Sequence, residues 1–149
     1  MRFDQAIRRF YRIDRLNPRQ AAAYCNRGFI RSEQGDQWDA ISNYTLAIQT
    51  CPDEPIAYFY RGLTQQKLEN HADAIDDYSE AVRLAPDSPA AYYYRGLAWQ
   101  KLGNLVEAIA DFELAAQFFW TRGSKTNAQK ALKNIAKLQQ EGRNRCSVA

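Results

Sequence analysis

Apolar positions along the 149 residues recur in a fixed order rather than gathering in long runs. Segments 21–54, 55–88 and 89–122 align without a gap at a period of 34 residues. Tyr24, Tyr58 and Tyr92 correspond, then Arg27-Gly28, Arg61-Gly62 and Arg95-Gly96. Ala40-Ile41, Ala74-Ile75 and Ala108-Ile109 follow at one offset, then Tyr44, Tyr78 and Phe112, then Ala47, Ala81 and Ala115. A period this much longer than a helical turn marks a recurring supersecondary unit.

Each unit predicts a pair of helices. Gly35 and Gly103 mark the turn inside a unit, with Glu69-Asn70 in that place in the middle one, and Pro52 and Pro86 end the second helices of the first two units, since proline cannot continue a helix. Gly28, Gly62 and Gly96 fall mid-helix, where glycine costs about 1 kcal/mol relative to alanine. That cost is tolerable where another helix must approach closely. Ala40, Ala74 and Ala108 are the expected facing surface, and Tyr44, Tyr78 and Phe112 are expected to fill the wider gaps between units.

The two ends depart from the period in different ways. Ala6, Ile7, Phe10, Ile13, Leu16 and Pro18 match second-helix positions, so residues 1–20 read as half a unit without its first helix. Trp120 stands where the closing proline would be, so the last second helix is expected to run long. After Gly123, Thr126-x-x-Gln129 resembles a capping box. Ala128, Leu132, Ile135 and Leu138 then form a helical apolar stripe. Residues 123–140 are therefore read as a capping helix over the last unit, because stacked repeats need such caps for solubility. The polar stretch 141–149 is read as a flexible tail.

The recurring order of aromatic, Gly, Ala, aromatic, Ala and Pro resembles the tetratricopeptide repeat (TPR) family over nearly the whole chain. The resemblance implies an all-α, right-handed superhelical solenoid of antiparallel helix pairs. Three full repeats (21–54, 55–88 and 89–122) would follow the half-repeat and precede the capping helix. It further implies a concave face lined by the first helix of each repeat, with ligand contacts at the second, fifth, sixth, ninth, twelfth and thirteenth places. Those places hold Ala22, Cys25, Asn26, Phe29, Ser32 and Glu33 in the first repeat, and Ile56, Phe59, Tyr60, Leu63, Gln66 and Lys67 in the second. The third supplies Ala90, Tyr93, Tyr94, Leu97, Gln100 and Lys101.

Within that set, Phe29, Phe59, Tyr60, Leu63, Tyr93, Tyr94 and Leu97 make an apolar strip of the kind that marks interaction surfaces, and tyrosine is enriched at binding hot spots. Asn26, Gln66, Lys67, Gln100 and Lys101 add hydrogen-bonding and charged groups. The expected role is an adaptor, scaffold or assembly factor that binds a protein or peptide partner in the groove. One known mode of the family clamps the carboxylate terminus of a chaperone tail. Tyr24-Cys25-Asn26-Arg27 resembles part of that motif, but Ile56 and Tyr60 occupy its later Lys and Arg positions, and no helix upstream carries its first Lys and Asn. The clamp is set aside. Arg27, Arg61 and Arg95 could form a ladder for carboxylates or phosphates. The favoured reading is that each stem packs while its guanidinium pairs with acids such as Asp76, Asp77 or Asp111.

Charge adds two alternatives. Residues 1–20 carry six Arg against Asp4 and Asp14, a net +4, and residues 122–149 carry seven Lys/Arg against Glu141, a net +6. The whole chain is +3, so the middle is −7. Basic ends including Arg8, Arg9, Arg12, Lys130, Lys133 and Lys137 could attract nucleic acid or another polyanion. The acidic body argues against extended phosphate contact. The uncovered edge of the half-repeat could instead pair with a second copy, giving a self-assembling homo-oligomer.

Other functions find little footing. No apolar run approaches the length of about 20 residues that spans a bilayer, and the N-terminus lacks the pattern of a secretion signal, so a cytoplasmic location is expected. Cys25, Cys51 and Cys146 have no metal-type spacing, and the single histidine, His71, sits in an inter-helix turn as a helix-start residue. No phosphate loop, HExxH or nucleophile–base pairing appears, so neither an enzyme nor a cofactor or metal is expected.

Overall fold

The computed structural model describes residues 17–147, and all its regular elements are helical. They are α1 (Pro18–Glu33), α2 (Gln37–Thr50), α3 (Pro55–Lys67), α4 (His71–Leu84), α5 (Pro89–Lys101), α6 (Leu105–Thr121) and α7 (Lys125–Ser147). The half-repeat expected over 1–20 lies almost entirely outside the described residues. No helix described is long and apolar enough to cross a membrane.

Local chemistry sets the helix limits. Pro18, Pro55 and Pro89 each occupy the first turn of a helix, where proline's missing N–H would have had no partner. Asn17 and Asp36 accept hydrogen bonds from the backbone N–H of Gln20 and Asp39 at 3.1 and 3.2 Å. Gly35, Gly103 and Gly123 close helices with φ of 87°, 80° and 75°. Glu69 takes the same left-handed conformation at φ 62° without being glycine, so the middle turn is met by a residue that bears a steric cost there.

Helices pair as α1–α2, α3–α4 and α5–α6, and α7 packs on α6. Direct contact between α1 and α3, and between α3 and α5, is more extensive than any between α2 and α4 or α4 and α6. The stack therefore curves with the odd-numbered helices inside.

The mid-helix glycines have a different neighbour from the one expected. Tyr44, Tyr78 and Phe112 are fully buried, and a Cβ added at Gly28, Gly62 or Gly96 would meet the Cε1 of that ring at 2.7, 2.8 or 3.0 Å. One edge of the second helix's aromatic ring lies against the glycine of the first, inside one repeat. The alanines play the lesser part, with the Ala108 carbonyl the third-nearest atom at Gly96. Burying each ring stabilises the pair by about 1.5–3 kcal/mol, which outweighs the helical cost of glycine.

Three-way arginine clamps join successive repeats. Arg61 donates from Nε and Nη2 to Asp77 Oδ2 and Oδ1 at 2.9 and 2.7 Å, and from Nη1 to Thr45 Oγ1 at 3.1 Å. Arg95 repeats this on Asp111 at 2.8 and 2.8 Å and on Ser79 Oγ at 3.1 Å. Each side chain ties its own helix to the next one and to the one before. The guanidiniums also lie over Tyr58 and Tyr92, 5.9 and 5.6 Å from the ring centroids. Burial raises the Asp77 pKa, with Arg61 working against it. The favoured sequence reading therefore holds for Arg61 and Arg95, with Asp77 and Asp111 as the partners.

At the C-terminal end α6 runs on to Thr121, as the missing proline implied. The last helix differs in three respects from its sequence reading. It starts at Lys125, so Thr126 lies inside it, and Ser124 precedes it with its Oγ accepting from Asn127 Nδ2 at 3.0 Å. Its buried face is Ala128, Ala131, Ile135 and Leu138, while Leu132 is 53% exposed. The inward seam steps 128, 131, 135, 138, and position 132 lies about 80° from its centre line. Backbone hydrogen bonding carries the helix through 141–147, where the polar composition suggested a tail. Ala131, Ile135 and Leu138 join Phe112, Ala115 and Ala116 in one core cluster.

Candidate functional site

The inner side of the curve carries a row of aromatic rings in edge-to-face contact. Phe29 of α1 meets Tyr60 of α3 at 6.0 Å between centroids, and Tyr60 meets Phe59 at 5.6 Å. Phe59 meets Tyr94 of α5 at 5.8 Å, and Tyr94 meets Tyr93 at 5.6 Å. Tyr93 continues to Phe119 of α6 at 6.3 Å. Beneath the row, Tyr60 stacks on Tyr44 and Tyr94 on Tyr78. Core rings thus fix the orientation of the surface rings, which is the preorganisation an apolar binding surface needs.

Three clefts adjoin along this row. The first, of about 370 Å³, opens between α1 and α3 and is walled by Phe29, Tyr60, Leu63 and Tyr94, with Ser32, Glu33, Gln66 and Lys67 at its polar edge. The second, of about 260 Å³, is lined by Ile56, Phe59, Tyr60 and Ala90. The third, of about 380 Å³, lies between α5 and the capping helix and is lined by Ala90, Tyr93, Tyr94, Phe119, Asn127 and Lys130. Shared walls at Tyr60, Tyr94 and Ala90 make them one channel.

The structure thus brings Phe29, Phe59, Tyr60, Leu63, Gln66, Lys67, Tyr93 and Tyr94 together. Four residues of the expected groove line none of these clefts. Asn26 and Lys101 are exposed, Gln100 is half-buried, and Leu97 packs against the core around Phe112. Of the remaining family positions, Cys25 is buried, and burial pushes its thiol pKa up to about 11. Cys25 and Cys51 are both buried free thiols.

The polar edge of the first cleft is already engaged. Lys67 Nζ donates to Ser32 Oγ at 3.0 Å and lies 4.0 Å from Glu33 Oε1. Tyr78 donates its hydroxyl to Gln66 Oε1 at 2.8 Å, which leaves the Gln66 amide N–H groups for a ligand. Burial raises the Tyr78 pKa, keeping that hydroxyl a donor.

Sequence reasoning missed Tyr44 and Thr64 in the wall of the first cleft, and Phe119 and Asn127 in the third. Tyr44 sits at a recurring aromatic position and looks like core, while Thr64 stands where the neighbouring repeats carry Ile30 and Ala98. The others lie at or beyond the edge of the last repeat, where no family position covers them. A usable signal was the spacing of Asn127, Lys130 and Asn134, which share one polar face of α7.

Similarity to other proteins agrees with this architecture. The tetratricopeptide repeat family model matches residues 31–88 and 59–125. The chain belongs to the tetratricopeptide repeat family. No curated protein sequence matches it. The first TPR of Spaghetti (RPAP3) bound to the HSP90 peptide SRMEEVD superposes with a TM-score of 0.77 at 26% identity, over 85% of this chain and 95% of that one. The second TPR domain of human RPAP3, in complex with the HSP70 peptide SGPTIEEVD, gives 0.73 at 25% identity, over 83% and 98%. The TPR2AB domain of yeast Sti1 in complex with pHSP90 gives 0.82 at 19% identity, a likeness of fold alone. This chain spans 91% of its own length in that match and 53% of the other's.

Proposed function

We propose that the protein is a protein–protein interaction module that holds an extended segment or a helix of a partner along the inner channel. The observation that carries this reading is the unbroken aromatic row from Phe29 to Phe119, seated on buried rings and open to three joined clefts. Partner side chains would be buried on Phe59, Tyr60, Tyr93 and Tyr94, while Gln66 offers amide hydrogen bonds to the partner backbone. Relatives of about one-quarter identity that hold short peptides support the same class of ligand. The chaperone-tail clamp is not the proposed mode, because Ile56 and Tyr60 stand where it places Lys and Arg.

Phe59→Ala combined with Tyr93→Ala tests this. Capture from native lysate on the intact protein is expected to yield partners that the double variant loses, while helical circular dichroism is retained. An unchanged set of captured proteins on a folded double variant sinks the reading.

A further inference from the structure

The channel is chemically asymmetric along its length, and the asymmetry points to the composition of its ligand. At the α1 end Lys67 is engaged within the protein, donating to Ser32 Oγ at 3.0 Å with Glu33 Oε1 4.0 Å away. At the α7 end Lys130 lines the third cleft, and among the described residues it has no carboxylate within 4.0 Å. Neutral donors surround it. Asn134 Nδ2 donates to the Tyr93 hydroxyl oxygen at 3.4 Å, which leaves the phenolic proton of Tyr93 free to donate into the cleft it lines. Asn127 shares the wall, its amide held by Ser124 Oγ at 3.0 Å. The cleft also opens at the first turns of a long helix, whose backbone N–H groups present partial positive charge.

We infer that the third cleft is a carboxylate subsite: it takes an acidic side chain of the partner segment, whose neighbouring apolar residues lie on Phe59 and Tyr94. The inference rests on the groove reading above. It gives the channel a polarity, with apolar residues of the ligand toward α1 and α3 and its acidic residue at the α5–α7 junction. The basic surroundings of α7, with Lys133 and Lys137 exposed near Lys130, steer such a segment toward the site.

The test uses the full chain and an array of acetylated, amidated peptides built on a Leu-Phe pair, with one Glu or its Gln counterpart at successive spacings on either side. At one spacing the Glu peptide is expected to bind about threefold to fivefold more tightly than its Gln twin, the scale of one partly exposed charge pair. Lys130 is exposed, so Lys130→Gln leaves the fold intact; it should erase that ratio. Added salt should shrink the ratio in the parent protein. Equal binding of Glu and Gln peptides, or a ratio that survives Lys130→Gln, overturns the inference and leaves the groove reading standing. Peptides that fail to bind at all overturn both. A single-stranded oligonucleotide bound by the parent and lost in Lys130→Gln assigns the cleft to phosphate instead, which also overturns the inference.

Discussion

The first repeat and the two that follow carry nearly the same residues at the same offsets, yet they are built differently where repeats meet. In α3 and α5 the face turned to the preceding repeat is buried: Ala57 and Ala91 at 0%, Thr64 at 1% and Ala98 at 0% exposure. In α1 the same three-position face is Ala23, Arg27 and Ile30, all exposed, with Ile30 at 54%. Arg61 and Arg95 find a buried aspartate sixteen residues on, whereas Arg27 finds Asn43 there. Asn43 is buried but turns its amide back to the Asp39 carbonyl at 2.8 Å. Among the described residues, Arg27 lies over Tyr24, 5.7 Å from the ring centroid. Within each repeat the contact of glycine and ring is the same in all three. Intra-repeat packing is thus a property of the unit, while the inter-repeat clamp is a property of its neighbours.

The sharpest way to break that contrast is to remove an aspartate. Asp111→Ala leaves the Arg95 guanidinium, whose side chain is only 19% exposed, without its carboxylate. Chemical denaturation should show a loss of about 3 kcal/mol. Asn43→Ala, the corresponding change in the first repeat, should cost about 1 kcal/mol, the scale of one local hydrogen bond. Equal losses would mean that the clamp adds nothing to the joint.

Next in size is a swap of residues at the inter-repeat face. Ala98→Ile puts into α5 the residue that α1 already carries at the same offset. Because Ala98 is fully buried, overpacking should lower stability by about 2 kcal/mol. A melting temperature equal to the parent's would show that the joint is loose enough to absorb the added carbons.

The smallest effect is expected at Arg27. Arg27→Ala removes an exposed side chain with a ring contact and should change stability by about 0.5 kcal/mol or less. A loss on the scale of Asp111→Ala would mean that Arg27 is clamped after all, by residues outside 17–147.

Much of this was legible in the chain because a period of 34 carries its own alignment. The helix pairs, the glycine turns, the long α6 and the Asp77 and Asp111 partners of the arginines could be read by comparing offsets. Most of the aromatic strip could be read too, since the family positions fall on it. The misreadings cluster where the period stops. In α7 no second copy shows which residues face inward, so Leu132 passes for core and Ala131 goes unnoticed. Leu97 falls on a groove position yet packs inward, because the capping helix and α6 build a larger core at that end. Glu69 shares its offset with Gly35 and Gly103, and the backbone bears that out with a φ of 62°.

By itself the sequence determined the repeat, the order of its helices and the class of protein, because periodic identity constrains local structure wherever it recurs. The tertiary structure decided which of two equivalent residues is buried, clamped or free. Arg27 against Arg61 and Ile30 against Thr64 each share an offset in the repeat and differ in surroundings. Burial and charge pairing depend on what packs alongside, and that differs from one joint of the stack to the next. The opening of the channel at the α5–α7 junction depends in this way on the capping helix, and no offset within the repeat encodes it.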